Sequence, residues 1–219
     1  MEFNSKVLHI DNIENTSYKI QEFIKNQLNN FKRRGIVIGL SGGIDSAVTV
    51  SLCVKAIGKD KVLGVMMPER DSNPASKNYA ELLAKKLGIR TELIDLTKIL
   101  DSFSVYQTRD SIVKKNFKPF NNSCKYRLVI QNDILEKDHI AIPFLEVLDT
   151  TKTIHKIKLS LEDYLSITAA TTLKLRARMT MLYFLAEKNN YLVAGTTNKS
   201  EYVQGYFVDR KSTRLNSSH

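Results

Sequence analysis

The run Ser41-Gly42-Gly43-Ile44-Asp45-Ser46 sets two adjacent glycines after a hydroxyl and places a carboxylate two residues further on. It follows the apolar, β-branched stretch GIVIGL (35–40) and leads into DSAVTVSLCVKAIG, so it reads as a turn between a buried strand and a helix. Glycines let main-chain N–H groups close on an anion, and the helix that follows points its positive end at the same spot. Ser41 and Ser46 can add hydroxyl donors. Asp45 narrows the chemistry, because a carboxylate beside a phosphate calls for a bridging cation, and Mg²⁺ is the usual one. The turn carries no lysine and does not match G-x-x-x-x-G-K-[ST], and the fingerprint G-x-G-x-x-G is absent too.

Two further stretches hold residues of chemical interest. Arg176 and Arg178 stand two apart in a helical pattern, so they point in different directions. One can face a ligand while the other meets a neighbouring element or a partner subunit. A bidentate guanidinium suits phosphate or carboxylate, although either arginine alone equally fits a solvated or salt-bridged surface. Thr196, Asn198 and Glu201 follow the apolar run YLVAGT (191–196), at its carboxyl end and hence on the same edge as Ser41. Glu201 also fits the start of a helix, where a carboxylate meets the dipole.

These groups need a scaffold, and the hydrophobic pattern describes one. Ile20, Phe23, Ile24, Leu28 and Phe31 recur at helical spacing over 15–31. The helix after the glycine turn ends at Gly58, and KVLGVMMP (61–68) is the next strand. A helix over 73–88 has Asn73 as N-cap, Pro74 in its first position and Gly88 as C-cap, and RTELIDL (90–96) is a third strand. Such alternation predicts a parallel α/β sheet with helices on both faces. Residues 105–160 break the rhythm. Within them, HIAIPFLEVLDTTKTIHKIKLS reads as two strands joined by a polar turn at 149–152, a hairpin insertion over about 125–160. Ser160 with Asp163 then opens a long helix to about Lys188. No internal repeat or low-complexity linker interrupts the chain.

At 219 residues, one domain with a substantial core is the expectation. No apolar run reaches the roughly 20 residues that span a bilayer, and the N-terminus lacks a basic stretch followed by an apolar one. Cys53 and Cys124 stand far apart and form no metal or redox pair. Together these features predict a cytoplasmic protein without a membrane partner. The net charge of +10 raises nucleic acid as a partner. The basic clusters FKRR and KK are short, however, and no aromatic-basic alternation suggests base stacking. A mixed, lysine-rich surface around an anionic small-molecule site is the better account, and no nucleic-acid partner is expected. The last eleven residues, DRKSTRLNSSH (209–219), resemble a translated sequencing adapter residue for residue. On that reading the tail is artefactual and the natural sequence is interrupted after Val208.

SGGIDS resembles the pyrophosphate-binding loop of the N-type ATP pyrophosphatases. Those enzymes split ATP between its α- and β-phosphates and transfer AMP to a substrate oxygen, so a lysine reaching the γ-phosphate is dispensable. Within that group, MMPERDS (66–72) is similar to the M-P-x-R segment of the NAD⁺ synthase family. TTLKLRARMTMLYFLAEKNNYLVAGTTNKSEYVQGYF is similar to the family's N-x-x-x-R-x-R-M…LY…VxGTxNxxE…GYF. The resemblance covers about 20–100 and 160–208. It implies an adenine nucleotide alpha hydrolase-like fold and an ATP-dependent, AMP-forming amide ligase that converts deamido-NAD and ammonia into NAD⁺.

Carried over by position, the resemblance assigns ATP binding to Gly39, Leu40, Ser41, Gly42, Gly43, Ile44, Asp45, Ser46, Arg70 and Thr196. Arg176 would contact deamido-NAD. Asp45 and Glu201 would be the catalytic pair that holds Mg²⁺. The family also implies a homodimer. Neither cysteine has the context of a nucleophile and no second domain could serve as a glutaminase, so ammonia is expected free or from a separate glutaminase. There are departures from the family pattern. Thr172 stands where the family has Asn, and Asp209 begins the tail where the family continues with a lysine and a G-D-G turn, so the C-terminal part is missing. The segment between the glycine turn and the arginine helix is also longer than usual. An adenylating amidotransferase acting on another carboxylate and a non-catalytic nucleotide-binding protein are the alternatives. Paired cysteines, frequent in the tRNA-thiolating relatives, are absent.

Overall fold

The computed structural model describes residues 10–121, 123–131 and 142–203. The expected tail at 209–219, the interruption after Val208 and the end of the loop beyond Val203 lie outside these residues, as does 132–141 within the expected insertion. The chain divides into two compact units. One holds the described residues up to Thr97 and again from Arg176, and the other is Lys98–Leu175.

In the first unit, α1 (Ile13–Asn30) begins at Asn12, whose side chain accepts a 2.8 Å hydrogen bond from the Asn15 N–H. Then come β1 (Gly35–Gly39), α2 (Ile44–Ile57), a short 3₁₀ turn (Lys59–Lys61) and β2 (Val62–Met66). α3 (Pro74–Leu87) and β3 (Arg90–Leu93) follow. The caps of α3 are those the sequence predicts: Asn73 accepts from the Ala75 N–H, and Gly88 is left-handed at φ 66°. The strand expected over 90–96 stops pairing at Leu93, although Ile94 and Leu96 still donate to Met66 and Pro68. The unit closes with the second part of α6 (Leu161–Asn189), β7 (Tyr191–Ala194) and the short α7 (Lys199–Val203).

The four strands are parallel in the order β3-β2-β1-β7. Alternation along β1 decides what lies on each face. Ile36, Ile38 and Leu40 join Leu28 of α1, Val50 and Cys53 of α2, and Ala80 and Ala84 of α3 in one buried cluster. The opposite face meets α6, since a Cβ on Gly39 would lie 3.6 Å from Leu182. Helices therefore cover both faces, as the near-continuous burial of β1 and β2 requires. The apolar stripe of α1 is less buried than its spacing suggests. Leu28 is buried and Ile24 packs against the same cluster, but Phe23 and, at the end of the helix, Phe31 are exposed.

The second unit contains two helices and a strand absent from the sequence reading: α4 (Thr97–Ser102, begun in the last residue of the first unit), α5 (Val105–Asn116) and β4 (Lys125–Gln131). The expected hairpin is present as β5 (Ile142–Leu148) and β6 (Ile154–Lys158), with Asp149 at their turn. β4 pairs with β5 to complete an antiparallel sheet of order β4-β5-β6. Val113, Cys124, Leu145, Val147, Leu159 and Ile167 form its own core. Asp163, in the first turn of α6, is buried and bonded by Lys115 and Asn116 of α5. Among the described residues no helix is long and apolar enough to cross a membrane.

Candidate active site

The strand order creates a switch point. From β1 the chain winds outward through β2 to β3, then returns to place β7 on the other side of β1. In open parallel sheets the crevice for ligands lies there, outside the carboxyl ends of the strands. Ile38 of β1 pairs with Ala194 of β7, and seven residues beyond each stand Asp45 and Glu201. Leu40 donates to the Val65 carbonyl at 2.8 Å, so the end of β2 flanks the same edge. The turns 41–46, 67–73 and 195–198 thus leave three neighbouring strands on one side.

Within the first turn, Gly42 takes φ 77° and packs against the first turn of α3, where a Cβ would fall 2.9 Å from the Cα of Ser76. Gly43 is the N-cap residue of α2 and contributes no side-chain cap. The first main-chain bond of the helix runs from the Ala47 N–H to the Gly43 carbonyl, 3.1 Å. The N–H groups of Ile44, Asp45 and Ser46 precede it and start the helix without intrahelical acceptors. This is an anion-accepting end on a 14-residue helix.

The two serines differ in role. Ser46 is buried, and its hydroxyl donates to the Gly43 carbonyl at 2.9 Å while lying 3.1 Å from Ser41 Oγ. Ser41 is exposed, and its Oγ accepts from the Gly43 N–H at 3.2 Å. Ser46 therefore braces the turn from beneath and Ser41 lies at its surface. Of the two hydroxyls the sequence offers as donors, that of Ser41 is exposed, whereas that of Ser46 is committed to the Gly43 carbonyl.

Gly39 ends β1, half-buried, and Leu40 is buried, so these two can address a ligand only through their main chain. Ile44 and Asp45 are exposed on the first turn of α2. Arg70 is exposed in the turn after β2, with its Nε 3.2 Å from Asp71 Oδ1. Thr196 is half-buried two residues past β7. Glu201 is half-buried in α7, where its Oε2 accepts from the Asn198 N–H at 3.1 Å. That bond is the helix-start role the sequence also allowed for Glu201.

Arg176 and Arg178 separate as their spacing predicts. Arg178 is half-buried and donates from Nε to the Met67 carbonyl at 3.4 Å, which sets this turn of α6 at the carboxyl end of β2. Arg176 is exposed, about 200° further round the helix. One supporting role escaped the sequence, that of the Ser76 main chain beneath Gly42, whose only signal was its place in the first turn of a capped helix. The tie from Arg178 to Met67 is the contact with a neighbouring element that the arginine spacing allowed.

Among the described residues, no three of the histidines, cysteines and carboxylates gather as a ready-made metal site. Asp45, in the first turn of α2, and Glu201, in α7, are oxygen donors of the kind Mg²⁺ uses when phosphates and water complete its shell. The donor set therefore fits Mg²⁺ and is unsuited to a metal that demands nitrogen or sulfur.

Comparison with known proteins agrees with this architecture. The sequence model of the NAD synthase family matches residues 16–142 and 132–209. The NH₃-dependent NAD⁺ synthetase of Mesorhizobium japonicum is 40% identical over 84% of this chain, and that of Thermotoga maritima 39% identical over 85%. The chain spans 57% and 60% of those relatives' lengths. A solved NH₃-dependent NAD synthetase from Campylobacter jejuni, in complex with nitrate, superposes with TM-score 0.57 at 26% identity, over 89% of this chain and 60% of that one. An NMN synthetase from Francisella tularensis, at 22% identity and TM-score 0.58 over 94% of this chain and 60% of its own, shares the fold. By the family match and the parallel sheet that carries it, the chain belongs to the NAD synthase family.

Proposed function

We propose that this chain carries the ATP-binding, adenylating part of an ammonia-dependent NAD⁺ synthase. The observation that supports this most is the lysine-free glycine turn on a helix N-terminus, set at the switch point beside the loop that bears Thr196 and Glu201. A turn without lysine suits release of pyrophosphate held by main-chain N–H groups.

The reaction has two steps. An oxygen of the nicotinate carboxylate of deamido-NAD attacks the α-phosphorus of ATP, and the bond from that phosphorus to the bridging oxygen breaks. Pyrophosphate leaves and an acyl adenylate remains. The nitrogen of ammonia then attacks the acyl carbon, the bond to the AMP oxygen breaks, and the surplus proton passes to solvent. Alignment and charge neutralisation dominate such chemistry. The N–H groups at the start of α2 and the Ser41 hydroxyl take the β- and γ-phosphates, while Gly39 and Leu40 contribute main chain. Arg70 and Thr196 hold the nucleotide, and Arg176 takes an anionic group of deamido-NAD. Asp45 and Glu201 hold Mg²⁺, which when bound offsets the charge of the phosphates.

Ammonia arrives free or from a separate glutaminase. Self-association belongs to the same reading, and the exposed Leu161 and Leu165 in the first turns of α6 supply apolar surface for a homodimer. The test is Asp45→Asn in an assay of AMP and pyrophosphate formed from ATP, deamido-NAD and ammonium. The expected outcome is a loss of about a hundredfold or more, the scale of losing a metal-held charge. Unchanged turnover, or ADP in place of AMP, overturns the assignment.

A further inference from the structure

We infer that Asn198 is a positioning residue for the cation held by Glu201. The inference rests on the reading of Glu201 as a metal ligand. Asn198 is the residue immediately before α7, and Glu201 is the third residue of that helix. The Asn198 N–H donates to Glu201 Oε2 at 3.1 Å, and the Glu201 N–H donates to Asn198 Oδ1 at 2.9 Å. Each residue thus caps the other, a reciprocal box with Asn in place of the usual Ser or Thr.

The box has a consequence for ligation. A glutamate side chain has three rotatable bonds, and an unrestrained one must lose that freedom when a cation arrives. Here the carboxylate is fixed beforehand by the main chain of its own loop. One oxygen, Oε2, is committed to the Asn198 N–H, and Oε1 is the oxygen the box does not use. Glu201 is thereby prepared to offer a single oxygen, which suits a small octahedral cation better than bidentate chelation would. The half-buried state of both residues protects the two bonds from competing water. Partners that orient a ligating side chain commonly affect metal affinity by one to two powers of ten.

The test measures Mn²⁺, standing in for Mg²⁺, bound to the full chain in the presence of α,β-methylene-ATP, by the loss of the free-ion electron paramagnetic resonance signal beyond that caused by the same nucleotide without protein. Asn198→Ala keeps the main-chain N–H but removes the Oδ1 that holds the Glu201 N–H, which opens the box, and is expected to weaken Mn²⁺ binding about tenfold. Asn198→Ser, which caps a helix as well as Asn does, restores affinity to within about twofold of the original. Glu201→Gln is the reference and weakens binding at least as much as Asn198→Ala. Thermal melting is recorded alongside. If Glu201→Gln weakens Mn²⁺ binding but Asn198→Ala only lowers the melting temperature, Asn198 is merely a helix cap and the inference is overturned while the ligand assignment stands. If Glu201→Gln leaves Mn²⁺ binding unchanged, or the unaltered chain binds none, the ligand assignment itself is overturned.

Discussion

Three glycine-to-alanine substitutions separate the conformational demand of the phosphate turn from its steric demand. At Gly42 both act. Its φ of 77° is left-handed, which costs an L-residue about 1–2 kcal/mol. An alanine Cβ there would lie 2.9 Å from both the Cα and the carbonyl carbon of Ser76 and nearer still to its carbonyl oxygen. Main chain cannot rotate away, so the start of α3 must retreat by roughly half an ångström or more to reach ordinary contact distance. Such overpacking adds about 1–3 kcal/mol, giving about 2–5 kcal/mol in all. Gly58, at φ 83° and ψ 152°, lies in a region that is essentially glycine-only, and among the described residues nothing stands within 4 Å of a Cβ there, so Gly58→Ala carries a conformational cost alone, about 1–3 kcal/mol. Gly195 has no left-handed φ and, among the described residues, nothing within 4 Å of a Cβ, so Gly195→Ala stays within about 0.5 kcal/mol. All three lie in the same compact unit, and urea unfolding followed by circular dichroism compares them directly. The expected ranking is Gly42→Ala worst, Gly58→Ala intermediate and Gly195→Ala near neutral. A Gly42→Ala variant no less stable than Gly58→Ala would refute the close approach of the turn to α3.

Other expectations follow from the ionisable and nucleophilic groups. The hydrogen bond from Asn116 holds the Asp163 carboxyl below its ordinary range against the opposing effect of burial, with Lys115 and Ser160 adding to it. A depressed folded-state value means the stabilisation is present above the unfolded value, about 4, and is lost as pH falls through the folded one. Acid titration of thermal stability should therefore show a decline below about pH 4 that Asp163→Asn flattens, at a cost of about 1–2 kcal/mol near neutral pH. Lys115 is largely exposed and contributes the smaller share of that cost. Burial pushes the Cys53 thiol up to about 11. At pH 8 the folded chain should consume a thiol reagent at Cys53 more than about a hundredfold slower than a free cysteine does, with full reactivity regained in denaturant. Rapid modification of Cys53 without unfolding would show that α2 does not pack as described.

Local signals were read correctly wherever the neighbouring residues alone decide the conformation. Asn73, Pro74 and Gly88 bracket α3 because capping and left-handed φ are satisfied within one turn of chain. The β5–β6 turn was equally clear, since Asp149 Oδ1 accepts from the Thr151 and Thr153 N–H groups and closes the turn by itself. The segment ahead of it was missed for the opposite reason. α5 carries Tyr106 and Arg109 where a core helix would show aliphatics. The arginine is buried because it lies over the rings of Tyr106 and Tyr126 and binds Asp110. That stabilisation comes partly from β4, well outside the helix. β4 itself alternates outward Lys125 and Arg127 with inward Tyr126 and Leu128, a pattern hidden by its charged residues.

The candidate site divides along the same line. By itself the sequence determined the turn that can take phosphate, with its two glycines, its carboxylate and the helix behind it, because those demands are met over six consecutive residues. It also set Thr196, Asn198 and Glu201 at the carboxyl end of a strand, and tertiary structure decided which strand stands next to it. β7 pairs with β1 across the whole intervening chain, and only that pairing makes the strand that leads to Thr196, Asn198 and Glu201 the neighbour of the strand that leads to Asp45. It also decided that Ser46 faces inward and that Ser76 backs Gly42. Strand order is fixed by the burial of both sheet faces beneath helices distant in sequence, and hydrogen bonds of that range leave no signature in any local run of residues.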